Sequence, residues 1–93
     1  MNEYVIYGNM VEAAKQLKFS QIIYQNMINR KDIEGALEYL KTYLREAHEA
    51  WGLARDDIRK LYKDDKQYME ALRDACNEGE QKGLEMYEEA NRY

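Results

Sequence analysis

The side chains that most often carry chemistry are scarce in this chain, which holds a single histidine and a single cysteine. His48 follows Arg45 by three residues, so the sequence lacks the Glu-x-x-His pair of a di-metal helical bundle. Cys76 has no second cysteine and only that one histidine to activate it, so a nucleophilic dyad is not favoured. Cys76 instead lies on an apolar stripe and is predicted to pack in the core, with His48 at the surface.

Two adjacent acid pairs, Asp56-Asp57 and Asp64-Asp65, are the remaining clusters of a reactive type. Both stand where a helix is predicted to begin, and aspartate caps helix N-termini without any catalytic role. The chain also has no glycine-rich loop of the kind that holds phosphate. We therefore predict that the protein is not an enzyme, needs no cofactor or metal ion, and acts by binding.

The composition describes one helical domain spanning residues 1–93. Proline is absent, and hydrophobic residues make up 45% and charged residues 34% of the chain, as in globular proteins. One cysteine excludes an internal disulfide and fits a reducing compartment. No apolar run is long enough to span a membrane, and the N-terminus does not resemble a secretory signal. We therefore expect a cytoplasmic protein without a membrane partner.

Charge is distributed unevenly along the chain. Residues 1–31 hold two acids against four bases, the remaining residues hold 16 acids against 10 bases, and the net charge is −4. No acid occurs between Glu12 and Asp32. The first third of the chain can therefore present a surface that approaches an anion.

The apolar pattern predicts two short helices between residues 9 and 31. Asn9 and Glu12 have the form of a capping box for the first helix. A straight continuation would place the apolar residues after Lys18 on other faces of the helix. A turn at Lys18-Phe19 with a new start at Ser20 restores a single stripe, so we predict a sharp corner between two helices.

The remainder of the chain predicts further helices. Predicted N-caps are Asp32, Asp56 or Asp57, and Asp64 or Asp65, and predicted stops are Gly52 and Gly79. The predicted inner face of the helix after residue 32 consists of Ile33, Ala36, Leu37, Leu40, Leu44, Ala47 and Trp51. We expect an all-α, compact bundle of four to five short helices. An unbroken heptad from residue 33 to 75 leaves one long coiled-coil helix as the alternative.

The stretch from Glu12 to Ile28 has the features of a helix-turn-helix corner. Ala14 is small where the second helix would cross the first, Leu17 and Phe19 fill the corner, and Ser20 caps the second helix. In these features it resembles the helix-turn-helix of small excisionases and mercury-resistance-type regulators.

The resemblance implies a small regulator of transcription that binds DNA. In that family the second helix lies in the major groove with its N-terminal residues at base edges. By resemblance, base edges are contacted by Gln21, Gln25 and Asn26, and phosphates by Lys15, Lys18, Arg30 and Lys31. Residues 32–93 would then serve homodimerisation or partner binding.

A non-catalytic protein-binding module is the alternative function. The chain has nine tyrosines, and tyrosine is enriched at interfaces because it buries a large area at little cost in entropy. Tyr39 and Tyr43 lie one turn apart and form the predicted contact pair. The stretch from Asp32 to Leu40 also resembles the second helix of a tetratricopeptide repeat. Such a module would be an inhibitor or adaptor whose acidic helices can occupy a nucleic-acid site on a partner protein.

Overall fold

In a computed structural model, which describes residues 2–92, the chain is helical apart from its short connections. The C-terminal Tyr93 lies outside the described residues. The elements are α1 (Glu3–Asn29), α2 (Ile33–Tyr39), a π-helical turn (Leu40–Leu44), α3 (Arg45–Leu61) and α4 (Asp65–Ala90). Because α2, the π-helical turn and α3 are continuous, this part of the chain forms three helical rods. The prediction of an all-α fold is confirmed.

Side-chain caps set where the rods begin. The side-chain oxygens of Asn2, Asp32 and Asp64 each accept a hydrogen bond from a first-turn amide nitrogen, at 2.7, 3.0 and 3.0 Å. Such bonds satisfy amides that have no partner inside the helix. The prediction for Asp32 is confirmed, and of the predicted alternatives Asp64 and Asp65 the cap is Asp64. The predicted start at Asn9 is wrong, because α1 has already begun at Glu3.

The corner predicted after Lys18 is not present, because α1 runs unbroken through this position. Residues 9–31 are therefore part of one helix and the turn that follows it. Apolar residues lie on several faces of α1 because helices pack against it from two sides. Val11 approaches α4, and Ala13 shares a cleft with α3. Ser20, the predicted N-cap, is buried in the middle of the helix.

The predicted break at Gly52 is also wrong. α3 passes through Gly52 and both following aspartates and ends only at Leu61. A glycine inside a helix costs about 1 kcal/mol, and this cost is outweighed because the helix beyond it carries the fully buried Ile58. One continuous helix from residue 33 to 75 is excluded too, since the chain turns at residues 62–64. The bundle has fewer and longer helices than the four to five predicted.

Two glycines bring α4 close to α1. Gly79 and Gly83 are both buried inside α4, so the predicted stop at Gly79 is wrong. A Cβ atom at Gly79 would lie 2.5 Å from the Cβ of Ala14, and one at Gly83 would lie 2.6 Å from the carbonyl oxygen of Lys15. Both distances are shorter than van der Waals contact. Only glycine therefore lets the two helices approach this closely.

The hydrophobic core lies where α3 and α4 join and meet the first half of α1. Met10 and Ile58 are fully buried there beside Ala75. Half-buried residues packed against them are Tyr7, Trp51, Leu61, Tyr62, Tyr68, Ala71, Leu72 and Cys76. α3 and α4 contact α1 far more than each other, and the molecule measures 44 × 27 × 21 Å. Most contacts between the rods are therefore made by α1, against which both α3 and α4 pack.

Candidate functional site

The π-helical turn at Leu40–Leu44 is the main irregularity of the second rod. The Arg45 amide donates to the Leu40 carbonyl five residues earlier, which closes a wider ring than an α-helix does. The Thr42 hydroxyl donates to the Glu38 carbonyl oxygen at 2.8 Å and gives that carbonyl a partner inside the irregular turn. One extra residue in a helical turn rotates everything before it by about 100°. Turns of this kind are frequent at functional sites.

This rotation turns an apolar stripe of α2 towards solvent. The heptad predicts that Ile33, Leu37 and Leu40 face the core, but they are 52%, 49% and 40% exposed. Ala36, also predicted to face the core, is buried, and Tyr39 is half-buried, so the inward positions lie one residue before Leu37 and Leu40. The prediction for these three residues is wrong, whereas Leu44, at the end of the turn, and Ala47, after it, are buried as predicted. We call Ile33, Leu37 and Leu40 the α2 stripe.

The two tyrosines singled out by the sequence lie at the same turn and contact each other. The ring centroids of Tyr39 and Tyr43 are 5.3 Å apart. Together with Phe19 they line an open cleft of about 330 Å³ between α1 and the second rod. We call this the aromatic cleft, and its lining residues are Gln16, Phe19, Ser20, Tyr39, Tyr43, Glu46 and Ala47. Tyr43 is 65% exposed, so its ring is open to a partner.

Phe19 extends the aromatic surface to α4. Its ring lies edge to face with that of Tyr87, with centroids 6.4 Å apart. Sequence reasoning missed both residues as site members. Phe19 was assigned to a corner that does not form, and Tyr87 reaches the site only because the two glycines draw α4 against α1. No local pattern in the sequence signals that approach.

The charged side chain among the residues that line the cleft is Glu46. Gln16, which also lines it, donates a hydrogen bond at 3.1 Å to Glu12, whose carboxylate forms an ion pair with Lys15. Hydrogen bonds from Lys15 and then Gln16 lower the pKa of Glu12, so this carboxylate stays ionised. A group with cationic side chains next to an apolar anchor therefore suits the cleft better than an anion does.

The residues that the resemblance assigned to base contacts lie along the second half of α1. Asn26 donates a hydrogen bond to the Tyr87 hydroxyl, and Gln25 donates one to Asn29 at 3.0 Å. Gln21 is exposed at the edge of a crevice that Trp51 also lines. The three amides therefore stand on one continuous helix and have different neighbours.

The residues assigned to phosphate contacts are divided between two places. Lys15 forms an ion pair with Glu12 at 3.0 Å, and the side chain of Lys18 would touch a Cβ atom at Gly83 of α4. Arg30 and Lys31 are exposed after the end of α1, where Lys31 has a φ of 65°. The structure does not bring these four bases together on one helix face.

Cys76 lies in a narrow crevice of about 130 Å³ where α1, α3 and α4 meet, which is also lined by Trp51 of α3 and by Glu80, one turn further along α4. Burial is the main cause that raises the pKa of its thiol, and the negative charge of Glu80 adds to it. A hydrogen bond with Trp51 acts in the opposite direction. His48, the other single reactive residue, is exposed on α3, as predicted.

The raised pKa predicts that native Cys76 reacts slowly with iodoacetamide. The native thiol stays protonated at pH values where the unfolded thiol has begun to ionise, and only the thiolate attacks. The contribution of this raised pKa to the free energy of unfolding is present below the pKa of the unfolded thiol. It is lost as the pH rises through the native pKa. Alkylation rates measured between about pH 7 and 10 should be lower in the native protein than in urea, and the ratio should narrow as the pH rises. Equal rates in the two states would contradict the burial of this thiol.

Comparison with known proteins found no matching family model, no matching curated sequence and no matching solved structure. Within residues 2–92, no helix combines the length and apolar character needed to cross a membrane. In the same residues, no group of three or more His, Cys, Asp or Glu side chains is arranged to hold a metal ion.

Proposed function

We propose that this protein is a non-catalytic protein-binding module that receives a partner segment in its aromatic cleft. The observation that carries the proposal is the pair of contacting tyrosines at the π-helical turn, one of them largely exposed, above a cleft lined by Phe19. Rigid aromatic side chains next to an apolar depression are the usual anchors of protein interfaces.

Charge defines the partner chemistry. Glu46 gives the lining of the cleft a negative charge, and the chain as a whole carries a net charge of −4. The partner segment is therefore a peptide or helix with an aromatic or branched aliphatic anchor beside arginine or lysine. An inhibitor or adaptor that covers a basic surface of its target would use such a site.

Support for protein binding over DNA binding comes from α1. The DNA hypothesis depended on a corner that would free a short second helix for the major groove. Here the same residues belong to a 27-residue helix that packs against α4. Lys15 of this helix is paired with the Glu12 carboxylate, and the side chain of Lys18 lies next to Gly83 of α4.

Selection from a displayed random-peptide library tests the proposal. We expect the selected peptides to combine an aromatic or aliphatic anchor with basic residues. Tyr43→Ala and Tyr39→Ala should each weaken their binding by about tenfold or more, as truncation of an interface anchor does. Tyr4→Ala is the matched control, because Tyr4 is also exposed but lies outside the cleft.

The DNA alternative is tested on the same variants. Fluorescence anisotropy of a labelled duplex at low and rising salt should show no salt-sensitive binding to the parent protein. Salt-sensitive DNA binding that Lys18→Glu abolishes and Tyr43→Ala leaves unchanged would overturn the proposal.

A further inference from the structure

The α2 stripe is a second apolar surface, separate from the aromatic cleft. Ile33 and Leu37 are exposed on α2 and Leu40 at the start of the π-helical turn, and none of them lines the cleft. They stand at positions 33, 37 and 40, the spacing of a coiled-coil seam. We propose that the α2 stripe pairs with the α2 stripe of a second copy of this chain, with the two helices antiparallel about a two-fold axis near Leu37.

The solvent-accessible area of the whole chain supports the presence of a second copy. A monomeric protein of 11.1 kDa is expected to expose about 5,700 Å². This chain exposes 6573 Å². The excess is on the order of 900 Å², close to the area of about 800 Å² that each partner buries in a standard interface.

Charge complementarity favours a second copy of the chain as the partner that covers the α2 stripe. Glu34 and Lys41 are both exposed and stand two helical turns apart on the same edge of the stripe, on either side of Leu37. An antiparallel copy places Lys41 of one chain beside Glu34 of the other, and symmetry repeats the contact. Among the ion pairs within residues 2–92, neither side chain has a partner in its own chain. The stripe is therefore self-complementary in both apolar surface and charge.

Sedimentation velocity over a range of micromolar concentrations tests the pairing with the full chain. The parent protein should sediment with twice the 11.1 kDa chain mass. Leu37→Glu places two carboxylates together at the axis and should weaken the dimer by about a hundredfold. Leu53→Glu is the control, because Leu53 is 69% exposed on α3 and should leave the dimer intact.

A charge exchange distinguishes a second copy from any other occupant. Glu34→Lys alone should weaken the dimer by about tenfold, because both symmetric ion pairs become repulsive. Glu34→Lys combined with Lys41→Glu should restore it, with circular dichroism confirming that each variant keeps its helix content. A parent protein of single-chain mass throughout, or a double variant as weak as the single one, would overturn the proposal.

Discussion

Deleting Thr42 is expected to leave the protein folded, whereas deleting Ala50, eight residues later in the same rod, is expected to unfold it. The π-helical turn contains one residue more than an α-helical turn needs. Removal of Thr42 lets the turn close as an α-helix while α2 and α3 keep their orientations. The hydroxyl bond from Thr42 to Glu38 is lost, but a backbone bond replaces it. The free energy of unfolding should stay within about 1 kcal/mol of that of the parent.

Ala50 lies in a regular α-helix, which contains no extra residue that could compensate for a deletion. The shortened α3 would rotate by about 100° at this point, and Ile58 would leave the core that it now fills with Met10. Loss of one such large residue costs about 2–5 kcal/mol, and the rest of the inner face of α3 moves with it. The total is comparable with the whole stability of a domain of this size.

Urea unfolding followed by circular dichroism compares the two deletions directly. The Thr42 deletion should unfold cooperatively near the midpoint of the parent, and the Ala50 deletion should lack a native baseline. The α2 stripe remains exposed when Thr42 is deleted, so the dimer proposed above should persist in that variant. If both deletions unfold the chain, the turn does not contain a redundant residue, and the rotation of α2 has another origin.

The same turn marks where prediction from the sequence succeeds and where it fails. The inner face after the turn follows the heptad through Leu44, Ala47 and Ile58, because regular helical spacing fixes which side chains meet the core. Before the turn the heptad continues without interruption, but Ile33 and Leu37 face solvent. A single inserted residue leaves no mark on the apolar pattern of the sequence.

α1 was wrongly divided into two helices because the apolar pattern was interpreted as facing a single neighbour. α1 packs against both α3 and α4, and the apolar residues of a helix with two neighbours need not form one stripe. Val11 and Ala13 lie on different sides of α1, yet both are buried. Local capping signals were more reliable. Asp32 and Asp64 were identified as helix starts because an aspartate cap depends only on amides two or three residues away.

Of the candidate sites, the sequence identified the tyrosine pair but not its surroundings. Tyr39 and Tyr43 are four residues apart, so a local helix brings them together whatever the tertiary fold. Phe19 and Tyr87 join them only through packing of α1 against α4 and the second rod. That packing depends on Gly79 and Gly83, and the sequence predicts a helix stop at Gly79.

The second large effect is expected when glycines are replaced by alanine. The same substitution should destabilise the fold at two positions and stabilise it at two others. Gly79→Ala and Gly83→Ala should each destabilise the fold by about 2–3 kcal/mol. At Gly79 the added methyl meets Ala14 and the backbone carbonyl of Val11. Backbone atoms of a packed helix cannot move aside individually, so α4 must shift away from α1 along its length.

Gly8→Ala and Gly52→Ala are the matched controls. Both glycines are helical, and no atom lies within 4 Å of an added Cβ at either position. Alanine there should raise the free energy of unfolding by about 0.5–1 kcal/mol, because it restricts the unfolded chain and favours the helix. Thermal and urea unfolding of all four variants under the same conditions would measure both the expected losses and the expected gains in the free energy of unfolding.

The outcome at Gly79 also bears on function. A shift of α4 away from α1 would carry Tyr87 away from Phe19 and from its hydrogen bond with Asn26. The Gly79→Ala protein should therefore bind cleft peptides more weakly even at temperatures where it remains folded. A stabilised Gly79→Ala protein with parental peptide affinity would show that the two helices do not pack through this glycine.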